Sequence, residues 1–172
     1  MNYDKERIGS KNFIAHAPKG ANGVSVSNVL SSWQNNSFMY PESNSGTDVG
    51  FRSAQLGAIF AIKSHWSVST SAATVVMPTG TGKTETMIAT IVSESRGKTC
   101  IVVPSGLLRK QTVERFCTLG KLRDIGAVSD AYMNPMVACL ITAPPNTIEL
   151  QRIINESNII VSTISLLNGF SD

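Results

Sequence analysis

The chain of 172 residues carries 15 lysines and arginines against 12 aspartates and glutamates, and 42% of its residues are apolar. This length is typical of one domain or part of one, and it can bury a core without disulfide or metal staples. Charged residues make up 16% of the chain, below the roughly 25% of an average soluble protein, so a disordered charged tail is excluded for the chain as a whole.

Residues 1–48 are predicted to form a loop-rich N-terminal extension. From Pro18 to Asp48 the chain is dominated by Ser, Asn and Gly, a composition that favours loops, and the apolar residues within it allow one short helix over 28–34. A regular pattern begins after this stretch, and we expect residues 49–172 to form the folded domain.

The domain alternates helical and extended patterns. Helical spacing of apolar residues predicts helices, and short β-branched runs that end at proline or polar residues predict strands. Strands that alternate with helices of about ten residues are typical of a parallel sheet covered on both faces, so the expected fold class is α/β. The predicted helices span 51–64, 83–95, 106–118 and 147–155, and the predicted strands span 74–77, 99–103, 137–142 and 158–162.

The cysteines and the hydropathy of the sequence indicate in which cellular compartment the protein is expected. The three cysteines, Cys100, Cys117 and Cys139, form no C-x-x-C motif, and Cys100 and Cys139 lie in apolar runs where we expect them to be core residues. No window approaches the ~18 apolar residues of a membrane helix, and the N-terminus has no signal-peptide pattern. We therefore expect a cytoplasmic protein with no membrane association.

The most informative stretch is Met77–Thr84, which reads M-P-T-G-T-G-K-T between a predicted strand and a predicted helix. In this context it predicts a phosphate-binding loop, because Gly80 and Gly82 allow backbone N–H groups to turn inward and the helix N-terminus attracts anions. Lys83 would reach the β- and γ-phosphates, and the Thr84 hydroxyl would ligate Mg²⁺. ATP and Mg²⁺ are therefore the expected cofactors.

Two residues, one at the start of this loop and one directly after it, bear on how closely it matches a phosphate-binding loop. Met77 stands where the strict Walker A pattern has its first glycine. Glu85 follows Thr84 in the first helical turn, where the helix dipole alone favours a carboxylate, and we interpret it in that way rather than as a general base.

Three further stretches occur at characteristic distances from the loop. They are F-R-S-A-Q-L-G-A-I at Phe51–Ile59, V-V-P-S-G-L-L-R-K-Q at Val102–Gln111 and I-I-V-S-T at Ile159–Thr163. In type, order and spacing these stretches make the chain resemble superfamily 2 helicases and translocases, the DEAD/DEAH-like group that includes restriction-enzyme motor subunits. The resemblance covers about residues 51–167. Gly106 stands where DEAD-box proteins have arginine, which places the chain closer to restriction and antiviral-defence helicases.

The resemblance implies a RecA-like fold and ATP hydrolysis coupled to movement on nucleic acid. It implies that Gln55 reads the adenine edge with support from Arg52, and that Lys83 and Thr84 act in catalysis. The implied nucleotide site comprises Arg52, Gln55, Pro78, Thr79, Gly80, Thr81, Gly82, Lys83 and Thr84. The implied nucleic-acid site comprises Pro104, Ser105, Arg109, Gln111 and Thr163.

Charge also points to a nucleic-acid partner. Seven basic residues and one acid, Glu114, lie between positions 96 and 123, and such a patch would attract backbone phosphates. The expected partner is nucleic acid, with DNA favoured over RNA, and a nuclease or other defence subunit is a further possible partner. The basic residues are Arg96, Lys98, Arg109, Lys110, Arg115, Lys121 and Arg123.

The family's adjacent Asp-Glu pair does not occur in this sequence. We therefore expect the chain to be the N-terminal portion of a longer motor, with a RecA-like domain incomplete at its C-terminus and inactive alone. Two alternatives stay open at this point: a small P-loop nucleotide kinase or transferase, and a non-catalytic nucleotide-sensing module that binds nucleic acid.

Overall fold

The computed structural model describes residues 4–8, 11–16, 24–43 and 49–168. The strands are β1 (Asp4–Ile8), β2 (Asn12–His16), β3 (Thr99–Val103), β4 (Val137–Cys139) and β5 (Ile159–Thr163). The helices are α1 (Val26–Gln34), α2 (Ser53–Val68), α3 (Lys83–Ser93), α4 (Gly106–Cys117), α5 (Thr147–Glu156) and α6 (Ile164–Asn168). No helix in these ranges has the length and apolar character needed to cross a membrane.

The five strands form one mixed sheet in the order β1-β2-β4-β5-β3. Strands β4, β5 and β3 run parallel, with α4 and α5 as the connections between them. Strands β1 and β2 form an antiparallel hairpin that pairs with the outer edge of β4. The alternation of β3, α4, β4, α5 and β5 confirms the predicted α/β class, and the predicted helices and these three parallel strands are present with ends shifted by a few residues.

Two apolar clusters hold the sheet between its helices. The larger cluster joins Val137, Cys139 and Val161 of the sheet to Val113 and Phe116 of α4, together with buried residues of α1, α2 and α3. The smaller cluster lies on the opposite face. It joins the hairpin and β4 to α5 through Ile8, Ile14, Ala138, Leu140 and Ile153.

The N-terminal segment contributes more structure than its composition indicates. The predicted short helix is confirmed as α1, where the Trp33 indole Nε1 donates to Met133 O at 3.0 Å and Asn158 Nδ2 donates to Val26 O at 3.0 Å. Strands β1 and β2 escaped prediction because each has only five residues and four of the five residues of β1 are charged. The two strands are therefore additions to the loop-rich segment expected from the sequence, and the domain boundary at residue 48 stays a prediction.

The predicted strand over 74–77 is wrong. This segment has no strand assignment and no strand partner among the described residues, and Val76 is 91% exposed. β-branched residues fit a strand only when a neighbouring strand supplies hydrogen bonds and covers the side chains. Cys100 is also exposed, contrary to expectation, because it lies with Val102 on an uncovered face of the edge strand β3.

Asn12 fastens the hairpin to the rest of the sheet. Its Oδ1 accepts hydrogen bonds from Ile141 N at 2.8 Å and Thr142 N at 3.0 Å, and its Nδ2 donates to Glu149 Oε1 at 3.3 Å. The side chain is 2% exposed, so removing it leaves main-chain donors without an acceptor.

Replacing Asn12 by Ala is expected to lower the free energy of unfolding by about 2 kcal/mol, because two N–H groups lose their acceptor. Urea denaturation followed by circular dichroism measures the change. Asn155→Ala is the control, since its exposed side chain accepts from Gln151 and the contact of its main-chain oxygen with Lys98 does not need the side chain. This variant should change stability by less than about 0.5 kcal/mol. Equal stability of both variants would show that Asn12 does not hold the hairpin.

Candidate functional site

The predicted phosphate loop contains two glycines whose backbone is in the left-handed region. Gly80 has φ +80° and Gly82, the N-cap of α3, has φ +88°, a region that costs other residues energy. The first helical hydrogen bond of α3 runs from Thr86 N to Gly82 O at 3.0 Å. The N–H groups of the first turn of α3 therefore point out of the helix end toward the loop, as an anion site requires.

Lys83 and Thr81 hold the loop in its turned form. Lys83 Nζ donates to Met77 O at 2.6 Å and to Pro78 O at 2.7 Å, and Thr81 Oγ1 donates to Pro78 O at 2.7 Å. The lysine side chain therefore folds over the loop and concentrates positive charge at the start of α3.

The N-terminus of α2 is attached to the same loop. Gln55 Oε1 accepts from Arg52 N at 2.9 Å, while Gln55 Nε2 donates to Gly82 O at 3.3 Å. Arg52 Nη1 donates to Gly80 O at 3.0 Å. Gln55 is 6% exposed, so the structure brings both residues of the R-x-x-Q segment against the phosphate loop and uses them to position its two glycines.

A cavity of about 480 Å³ opens beside the loop. Four cations line it, Arg52, Lys83, Arg115 and Lys121, and its lining contains one acid, Glu85. Sequence reasoning assigned Arg115 and Lys121 to a nucleic-acid surface and missed their place at this cavity. The cluster of basic residues in the sequence indicated a binding site lined by cations. Which of them face the loop depends on how α4 packs. The remaining lining residues are Ser43, Gly50, Gln55, Gly80, Gly82, Thr84 and Ile125.

Glu85 connects two helices at the cavity. Arg115 Nη1 of α4 lies 3.2 Å from Glu85 Oε1 of α3. Both carboxylate oxygens are buried and have no hydrogen-bond partner among the described residues, so the contact with Arg115 is ionic. Glu85 is therefore more than the dipole-favoured acid that the sequence predicted. The described residues contain no group of three or more His, Cys, Asp and Glu side chains that could hold a metal ion by themselves.

Most residues of the predicted nucleic-acid site gather at one edge of the sheet. Val103 of β3 pairs with Thr163 of β5, so Pro104 and Ser105 emerge beside Thr163 at the carboxyl ends of the parallel strands. The Ser105 hydroxyl accepts from Leu108 N at 3.3 Å and caps α4. Thr163 is 9% exposed.

Arg109 and Gln111 differ in their surroundings. Arg109 Nη1 donates to Leu140 O at 2.9 Å and is partly buried, so it ties the first turns of α4 to the end of β4. Gln111 is exposed on α4. The structure therefore presents Gln111 to solvent and commits Arg109 to the main chain.

The seven cations over 96–123 do not form one surface. Lys98 donates to Ser157 O at 2.7 Å at the end of α5, and Arg123 donates to Asn134 Oδ1 at 2.8 Å. Burial lowers the pKa of both side chains. Arg96 lies 3.7 Å from Glu94 and 5.2 Å from the Trp66 ring centroid. Because packing distributes these cations among several contacts, the patch predicted from sequence is not a continuous binding face.

The two glycines of the loop differ in what a side chain would meet. A Cβ at Gly80 contacts nothing within 4 Å, whereas a Cβ at Gly82 overlaps Nε2 of Gln55. We expect Gly80→Ala to cost about 1–2 kcal/mol of unfolding free energy from backbone strain, and Gly82→Ala to cost at least about 1 kcal/mol more from the overlap. Chemical denaturation of both variants measures the difference. Restoration of the Gly82→Ala variant by Gln55→Ala would confirm the overlap, and equal costs for both glycines would contradict it.

A family model described as the type III restriction enzyme, res subunit, matches residues 48–171. No curated protein and no solved structure matches the chain. The matched range contains the phosphate loop, the R-x-x-Q segment and the carboxyl edge of β3 and β5, and the family's N-terminal domain is a helicase-like ATP-binding domain of superfamily 2. The chain therefore belongs to the type III restriction enzyme res subunit family.

Proposed function

We propose that this chain binds ATP at the loop Met77–Thr84 and is the ATP-binding portion of a helicase or translocase that moves on nucleic acid. The observation that carries the proposal is the junction of that loop with α3. Two left-handed glycines, the outward N–H groups of the helix and Lys83 meet at one cavity of about 480 Å³. A nucleotide triphosphate matches this concentration of donors and cations.

The chain's own groups suggest how the phosphates are held. The first-turn N–H groups of α3 donate to the phosphate oxygens, and Lys83 Nζ exchanges the carbonyls of Met77 and Pro78 for the β- and γ-phosphates. Arg52, Arg115 and Lys121 surround the same space and balance the remaining negative charge.

Thr84 and Gln55 complete the proposed nucleotide site. The Thr84 hydroxyl lies in the cavity lining and is the proposed Mg²⁺ ligand; when bound, Mg²⁺ neutralises charge that develops on the phosphates. We propose that adenine lies beside Gln55 and Arg52 at the start of α2. The contacts of these two side chains with Gly80 and Gly82 support a positioning role toward the phosphate loop.

We propose the carboxyl edge of β3 and β5 as the place where nucleic acid is bound. Ser105 and Thr163 follow or end paired strands at that edge, Pro104 begins the turn into α4, and Gln111 is exposed on that helix. These groups are neutral, so they would position a nucleic-acid strand and supply little of the electrostatic affinity for it. A preference for DNA, a nuclease partner and a role in antiviral defence stay predictions.

A nucleotide kinase or transferase is the second candidate, because Arg115 and Lys121 bring two cations from outside the loop to the cavity, as phosphoryl transfer to a second substrate requires. Family membership favours the helicase-like function. Stimulation of ATP hydrolysis by added nucleic acid, in the longest polypeptide that contains this chain, distinguishes the two, since a small-molecule transferase should not respond.

Lys83→Ala is expected to weaken binding of a fluorescent ATP analogue at least about tenfold, because a charge-assisted contact to phosphate contributes about 1.5–3 kcal/mol. Fluorescence anisotropy of the intact chain measures the affinity. The matched control is Lys63→Ala, which removes a lysine of α2 that pairs with Glu94 away from the loop. Unchanged affinity of the Lys83 variant would refute the nucleotide site.

A further inference from the structure

The β1–β2 hairpin separates its charges onto opposite faces. Along β1, Asp4 and Glu6 alternate with Lys5 and Arg7, and successive side chains of a strand point to opposite sides of the sheet. Glu6 lies on the α5 side, where its Oε1 is 2.7 Å from Arg152 Nη2. The two cations of β1 therefore share the other face, away from the acids.

The cations of the hairpin line a groove of about 400 Å³. Among the residues that the structure describes, its lining is Lys5, Arg7, Lys11, Phe13 and Ile141, which are three exposed cations, two apolar residues and no acid. Register places Arg7 opposite Phe13 on β2, and Phe13 opposite Cys139 on β4. Because Phe13 packs against the larger apolar cluster, which includes Phe116 of α4, the groove opens on the α4 side of the sheet.

Hydrogen bonds join this groove to the proposed nucleic-acid edge. Asn12 holds Ile141 N, and Ile141 is one wall of the groove. The preceding residue, Leu140, accepts the hydrogen bond from Arg109 of α4. The groove and the segment that follows Pro104 are therefore attached to adjacent residues at the carboxyl end of β4.

The spacing of the strands sets the length of the combined surface. Lys5 and Arg7 lie on β1, and from β1 through β2, β4 and β5 to β3 there are four strand spacings, or about 19 Å. This distance corresponds to about six phosphates of a stacked strand at roughly 3.4 Å each. A single nucleic-acid strand of that length can therefore span from Ser105 and Thr163 to the groove.

We propose that the groove formed by Lys5, Arg7, Lys11, Phe13 and Ile141 binds the sugar-phosphate backbone of a nucleic acid and extends the carboxyl-edge site onto the N-terminal hairpin. The inference rests on the proposed function and adds to it residues that precede the family match, which begins at residue 48. It adds three exposed cations to an edge where Arg109 is bonded to the main chain and Ser105 and Thr163 are neutral.

The groove recognises phosphates rather than bases. Lys5 Nζ lies 5.0 Å from the centroid of the Phe13 ring, so a cation occupies the ring face on which a base would stack. Contacts to phosphates alone carry no sequence information, and binding through this groove is therefore independent of sequence and sensitive to salt.

The test compares binding of a labelled 20-nucleotide single strand by the intact chain and by the triple variant Lys5→Ala, Arg7→Ala, Lys11→Ala. Loss of three phosphate contacts should weaken binding at least about tenfold at 0.1 M salt and reduce the slope of log K against log salt by about 2. The double variant Lys63→Ala, Arg96→Ala is the control for lost positive charge, because both residues surround Glu94 away from the groove, and it should keep the slope.

One further variant and one further measurement control for misfolding and for competing explanations. The charge-preserving variant Lys5→Arg, Arg7→Lys, Lys11→Arg should bind like the unchanged chain, and ATP-analogue affinity should be equal in all variants. An unchanged salt slope in the triple variant overturns the inference while leaving the proposed function intact. Failure of the unchanged chain to bind any oligonucleotide overturns both. Competition by poly-glutamate as strong as competition by an unlabelled oligonucleotide would assign the groove to an acidic protein and overturn the nucleic-acid assignment.

Discussion

The placement of β4 between β2 and β5 is the constraint on which the rest of the structure depends. This strand has three residues, all buried, and pairs antiparallel with the hairpin on one side and parallel with β5 on the other. Its two faces contribute to the two apolar clusters, Val137 and Cys139 to one and Ala138 to the other. Because a shift of one residue would exchange these faces, burial on both sides specifies the register. That register brings the hairpin, α4 and the end of β5 to a common edge.

The phosphate loop is positioned by a different kind of contact. The segment before it has no strand partner in the described part of the chain, and its Val76 is exposed. The loop is held instead through side chains, since Arg52 and Gln55 donate to the carbonyls of Gly80 and Gly82, and Lys83 bonds the loop's own carbonyls. The R-x-x-Q segment therefore couples α2 to the position of the proposed nucleotide site. The Glu85–Arg115 contact couples α4 to the same site.

These contacts connect the two proposed sites through one helix. Arg115, near the end of α4, meets the phosphate loop through Glu85, while Arg109 bonds Leu140 at the sheet edge. Arg115 and Arg109 are six positions apart on α4, so both contacts belong to the same helix. One helix therefore connects the cavity beside the loop to the edge where nucleic acid is proposed to bind.

The sequence by itself determined the α/β class, helices α1 to α5, the three parallel strands and the turned glycine-rich loop before α3, because these depend on local periodicity and on glycines whose φ angles few other residues adopt. The strand predicted over 74–77 from β-branched residues is wrong. A strand forms only beside neighbouring strands, and the propensities of its own residues do not show whether such neighbours exist. Only the tertiary structure decided which partners the charged side chains have: Arg115 and Lys121 line the cavity beside the loop, Lys98 and Arg123 donate to main-chain oxygens, and Lys5, Arg7 and Lys11 line one groove. The partner of a long cationic side chain depends on which groups the packing brings close to it. Contacts between residues more than a hundred positions apart, such as Asn12 with Ile141, are set by the fold rather than by the local sequence.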